Sequence, residues 1–220
     1  MSNTDPESTV PPAASGGGGA GLKPEPEDVL GTSSYGERQG PAEGDAGERS
    51  GAPKEWHGRY YEDFSVGDVY RSRFGRTITD TDNIWFTCLT MNTNPIHFNV
   101  PYTERTQFGQ PLVNSAFTLA LVTGLTVPDT SENAAANLAW TDIKLPKPVF
   151  VGDTVWAESE IIDLRESKSN ASVGIVSMRC RGLNQRREVV IEFKRTFMVY
   201  KRDAPEVQDT FPGTDDDWTV

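Results

Sequence analysis

The chain has 220 residues, 24% of them charged, and a formal net charge of −11. Residues 1–57 hold ten acidic and four basic side chains, and residues 203–220 hold six acidic and none basic, so residues 58–202 carry +1. A near-neutral centre lacks the clustered positive charge that phosphate recognition needs, which argues against a nucleic-acid partner; no run of about 18 apolar residues occurs, so no membrane span is expected.

Residues 1–57, with "PPAASGGGGAGLKPEPEDVLG", are expected to be a disordered leader, because so few large apolar groups cannot offset the entropy of ordering the chain. They show no basic stretch followed by an apolar one, so no secretory signal is read there. Residues 58–202 suffice for a single hydrophobic core. Residues 203–220 read as a poorly ordered acidic tail, with Phe211 and Trp218 as candidates to dock onto that core. Cys88 and Cys180 are far apart, each among apolar neighbours, and are expected to be buried thiols in a reducing cytoplasm rather than a disulfide. Without a CxxC or a Cys/His cluster, no structural zinc site is expected.

Within the core, Asp68–Thr79 alternates loosely and reads as a strand. Thr79 is an N-cap with Asp82 three residues on, and opens a helix over about Asp80–Leu89 whose apolar face is Ile84, Trp85, Cys88 and Leu89. The bend "MNTNPIH" follows, then a helical turn in "VPYTERTQ". Pro111–Val127 is apolar almost all the way round, the mark of a buried helix, with Ala116, Ala120 and Gly124 in line for close packing. From Ala136 the period becomes two. "NLAWTDIKLPKPVFVGDTVWAESEIIDLRES" gives strand, Pro-rich corner, strand; "ASVGIVSMRCRGLN" and "EVVIEFKRTFMVYKR" give two more, joined by a hairpin. The fold class is therefore α+β, an antiparallel sheet wrapped around one long helix.

These segments resemble a known family. "YYEDFSVGD", "RTITDTDNIWFTCL", "NTNPIHFN", "FGQPLVNSAFTLALVTGL" and "KPVFVGDTVWAESEI", in that order, resemble the MaoC-like dehydratases of the hot-dog fold, which include (R)-specific enoyl-CoA hydratases. The resemblance covers about Tyr60 to Arg202. It implies an acyl-CoA thioester substrate, no cofactor or metal, and pairing into a homodimer or dimer of dimers. The family motif, Asp, a variable residue, then Asn-Pro-aliphatic-His, falls on Asn92, Thr93, Asn94, Pro95, Ile96 and His97. Two departures stand out: the catalytic Asp position is Asn92, and the His-Gly usual at the start of the central helix is Asn114-Ser115. "TMNTNPIHFN" resembles a branch in which Asn is usual, some members of which are linked to itaconyl- or mesaconyl-CoA.

Hydrating an α,β-unsaturated thioester requires a base for water, a proton for the α-carbon and donors for the thioester oxygen. By the resemblance His97 is the base, directed by a proline-defined bend into a tunnel. Asn92 is expected to orient the water. Asn94 is expected chiefly to serve the bend, with ligand contact as the lesser reading. The Ser115 N–H, at the start of the buried helix, is the expected oxyanion donor, and Asn114 either touches a carboxylate-bearing acyl group or simply caps the helix. Arg71, Arg73, Arg76, Arg105, Lys144 and Lys147 are candidates to meet the phosphates of coenzyme A, although each taken singly reads as a surface charge. Two alternatives stay open: a catalytically impaired acyl-thioester-binding or partner subunit, in which Asn92 only braces the loop, and a hot-dog thioesterase, disfavoured because no acidic residue lies near the start of the central helix.

Overall fold

In the computed structural model, residues 57–208 are described. The leader expected over 1–57 lies almost wholly outside them, as do Phe211 and Trp218. The chain begins with a 3-10 turn, Tyr61–Asp63, and two short strands, β1 (Val69–Arg71) and β2 (Arg76–Thr77). Helices α1 (Asp80–Leu89), α2 (Val100–Thr103) and α3 (Ser115–Thr130) follow, then four long strands: β3 (Ala134–Lys144), β4 (Thr154–Glu166), β5 (Val173–Asn184) and β6 (Val189–Tyr200). The strands form one antiparallel sheet in the order β1-β4-β5-β6-β3, with β2 also paired to β4.

The sheet's two faces follow from the period of two. Val155, Ala157, Ser159 and Ile161 of β4, Val176, Met178 and Cys180 of β5, and Ile191, Phe193 and Phe197 of β6 are buried. On the opposite face the same strands present a charge ladder, in which Glu158 accepts from Arg71 (2.7 Å) and Arg181 (2.9 Å) and Glu160 accepts from Arg179 (2.8 Å). The single strand expected over Asp68–Thr79 is interrupted at Ser72–Gly75. Ser72 turns aside to bond Ala157 through both its N–H and its hydroxyl, and the Trp156 indole fills the space a Cβ at Gly75 would need.

Helix α3 lies on the buried face, and the close approach needs a glycine opposite: a Cβ at Gly182 would sit 2.6 Å from Val122. The buried line of α3 is Thr118, Val122, Thr126 and Thr130, one residue per turn. The line Ala116, Ala120 and Gly124 is exposed, so the helix is covered on one side rather than engulfed. It also starts later than its hydropathy implies, because Leu112 and Val113 remain extended and bond the Val149–Phe150 backbone. Below its C-terminal end lies Arg195, 6% exposed, donating to Asn137 Oδ1 (2.7 Å) and Ser131 Oγ (3.0 Å) and stacked over Phe197 at 4.7 Å.

Both cysteines are free. Cys180 is buried, and burial pushes its thiol up to about 11. Cys88, expected to be buried, is exposed on α1, because α1 turns its polar residues inward. Among the described residues no helix is long and apolar enough to cross a membrane.

Candidate active site

Three backbone segments converge around His97: the inner face of α1, the bend that follows it, and the entry into α3. Helix α1 begins as expected. Thr79 Oγ1 accepts from the Asp82 N–H (3.3 Å), and the Asp82 carboxylate accepts from the Thr79 N–H (2.8 Å). Burial raises the Asp82 carboxyl, but the Thr79 N–H and hydroxyl and the Arg76 guanidinium outweigh it and hold it below its ordinary value. The helix ends at Thr90, and Met91 takes the left-handed conformation (φ 55) that redirects the chain. For a residue with a Cβ this costs about 1 kcal/mol.

The bend is stitched by its own asparagines. Asn92 donates its N–H to Thr87 O (3.0 Å), and its Oδ1 accepts from the Asn94 N–H (3.0 Å). Asn94 Oδ1 in turn accepts from the Ile96 N–H (3.1 Å), capping a 3-10 turn over Pro95–His97. The Asn92 carboxamide is thereby oriented: its oxygen faces Asn94 and its NH2 is directed away.

His97 is 9% exposed, and its Nδ1 lies 3.0 Å from the Leu112 carbonyl oxygen. A carbonyl only accepts, so this bond places the proton on Nδ1 and the neutral ring's lone pair on Nε2. Leu112 precedes the first residue of α3 by three positions, a span of about 11 Å at most. Asn114 is buried and caps α3, its Oδ1 accepting from the Ala116 N–H (3.0 Å) while its amide donates to Thr87 Oγ1 (3.3 Å). Ser115 is exposed at the first helical position, where the N–H has no intrahelical acceptor.

Two residues that the sequence reading passed over complete the arrangement. Asn83, 1% exposed, donates to His97 O (2.8 Å) and Leu112 O (3.1 Å) and accepts from the Asn114 N–H (2.9 Å). Thr87, fully buried, receives Asn114 and carries the carbonyl that holds Asn92. Their i, i+4 spacing on α1 was a usable signal, but the sequence offered a competing apolar face, Ile84, Trp85 and Leu89, which is exposed.

Four of the six cations considered for phosphate contact are committed elsewhere: Arg71 to Glu158, Arg76 to Asp82, Lys144 to Glu192, and Arg73 over the Phe74 ring. Among the described residues no cluster of three His, Cys, Asp or Glu side chains can hold a metal. Two concavities, of about 650 and 410 Å³, lie over the charge ladder and beside Trp156, and neither is lined by Asn92, His97 or Ser115. Neither concavity is the expected tunnel; among the described residues, Ser115 and Ala116 at the start of α3 are exposed.

An antiparallel sheet carrying a central helix, with a histidine on an Asn-Pro bend at that helix's N-terminus, defines a MaoC-like protein of the hot-dog fold. The chain belongs to the mesaconyl-CoA hydratase family, whose model matches residues 46–218. It is 36% identical to the mesaconyl-CoA hydratase of Cereibacter sphaeroides over 157 residues, 70% of this chain and 46% of that one. A solved protein of Chloroflexus aurantiacus, assigned as a MaoC domain dehydratase, aligns with 32% identity and a TM-score of 0.65 over 74% of this chain and 45% of its own. A Mycobacterium tuberculosis protein with a double hot-dog fold aligns with 20% identity and a TM-score of 0.61, over 71% of this chain and 47% of its own. The chain thus spans about half the length of the mesaconyl-CoA hydratases it matches.

Proposed function

We propose that this chain adds water to, or removes it from, the α,β double bond of an acyl-CoA thioester, as a hydro-lyase. The observation that supports this reading is the His97 Nδ1 bond to Leu112 O, three residues before α3, which leaves the Nε2 lone pair free to serve as the base. In the hydration direction Nε2 accepts a proton from water as the oxygen bonds the β-carbon. Charge moves onto the thioester oxygen, where the Ser115 N–H and the positive end of the helix dipole stabilise it. The imidazolium then returns a proton to the α-carbon, so one water is added in total. Asn92 orients that water.

A branched dicarboxylic acyl group such as that of mesaconyl- or itaconyl-CoA suits Asn92: a carboxamide presents an N–H donor where an Asp would repel the substrate's second carboxylate. The similarity to the C. sphaeroides enzyme supports the same class. Because the start of α3 is exposed and the mesaconyl-CoA hydratases it matches are about twice as long, a second copy of the chain is the element that closes the site. Two free thiols fit a reducing compartment, and the cytoplasm is the location proposed.

The test is to offer the full chain crotonyl-, mesaconyl- and itaconyl-CoA in D2O and follow the products. Deuterium at the α-carbon with a new β-hydroxyl is expected from at least one of them. Release of free coenzyme A without that adduct sinks the hydro-lyase reading in favour of a thioesterase.

A further inference from the structure

The geometry points to Asn83 as the positioning residue that holds the His97 imidazole in its Nδ1–H form and fixes its distance from the N-terminus of α3. This rests on His97 being the base. Asn83 does not reach solvent, and each polar atom of its carboxamide is used. One N–H meets His97 O, the other meets Leu112 O, and the oxygen takes the Asn114 N–H. The same Leu112 carbonyl accepts from the ring at Nδ1. One planar group therefore fixes the backbone beneath the imidazole, the acceptor that sets its tautomer, and the amide just before Ser115.

The consequence is chemical as well as geometric. A histidine side chain free in water prefers its proton on Nε2, which would remove the lone pair from that nitrogen. A carbonyl held toward Nδ1 reverses that choice, and Asn83 is the side chain that holds it there. Water is an inferior substitute, because a single water cannot present two donors and one acceptor in a fixed plane.

The chain has only two histidines, His57 and His97, so nitrogen-15 spectra of the imidazoles in the full-length protein can be assigned with His97→Ala as the reference. Wild type is expected to show His97 protonated at Nδ1 and bare at Nε2; the opposite tautomer overturns the proposal. Two variants follow. Asn83→Asp retains the shape but sets an oxygen against two carbonyl oxygens, and Asn83→Ser leaves room for water. Each is expected to give a mixed or reversed tautomer and to lower kcat about a hundredfold while KM stays within about threefold, since a base displaced by an ångström loses rate rather than binding. A folded variant with the wild-type tautomer and unchanged kcat overturns the role, as does one whose only change is a raised KM. Should neither variant fold, a wild-type His97 ring bare at Nδ1 still overturns the proposal. If His97→Ala retained full turnover, the assignment of the base would fail, yet the spectra would still report whether Asn83 governs the ring.

Discussion

Asn92 occupies the position at which the family resemblance places an aspartate, and its surroundings say what the exchange does locally. Its Oδ1 accepts from the Asn94 N–H, a bond that an aspartate can make equally well, so Asn92→Asp should fold. It should discriminate between substrates. With mesaconyl-CoA, kcat/KM is expected to fall at least about tenfold through repulsion between carboxylates, with a smaller change for crotonyl-CoA. A rise with both substrates, measured side by side, would mean that the wild-type site is impaired. The bend was legible because Asn-Pro before a histidine carries its own geometry. Asn83 was not, because a polar residue on a helix reveals its role only once the helix's inward face is known.

Local rules that act within a few residues read through from sequence to structure; rules that need a neighbour did not. The N-terminus of α1 is of the first kind, since Thr79 and Asp82 fall where spacing alone puts them. Thr79→Ala should destabilise the protein by about 1 kcal/mol and lower its melting temperature by a few degrees. Helix α3 is of the second kind. Its apolar circumference implied burial on every side, but a single sheet covers only one. Arg195 illustrates the same limit. Burial lowers its pKa, and no carboxylate among the described residues pairs with it. It is held by neutral acceptors and by the carbonyl end of α3, where a cation is favoured. Arg195→Lys, lacking the planar fork, is expected to destabilise the protein by about 2 kcal/mol in denaturant titration; equal stability would show the guanidinium geometry to be dispensable. On the opposite face of the sheet, Arg71 first and Arg181 next hold the Glu158 carboxyl below its ordinary value of 4.5, despite partial desolvation. Because the folded value is depressed, this stabilisation is complete above about pH 5 and is lost as pH falls through the folded value. Glu158→Gln should flatten the acid limb of stability measured between pH 5 and 3.

Composition alone separated acidic ends from a neutral centre, and hydropathy period separated helices from sheet, so the class of fold was legible. Enclosure of the site was not, because the exposed residues Ser115, Ala116 and Ala120 on α3 carry no sequence signal of what would cover them. The exposed line Ala116, Ala120 and Gly124 on α3, together with exposed Leu138 and Trp140 on β3, is the kind of apolar surface that a monomer rarely leaves open. Sedimentation velocity on the full chain should find a dimer or a multiple of it. Ala120→Glu should yield a folded monomer without turnover; a wild-type monomer with full turnover would exclude a shared site. Whatever the assembly, the proposed hydration depends on one ring nitrogen, Nε2 of His97. Hydration of mesaconyl-CoA by the chain carrying His97→Ala, compared with wild type, is the most direct test. A fall of at least about a hundredfold is expected of a lost general base, and an unchanged rate in a folded variant would contradict it.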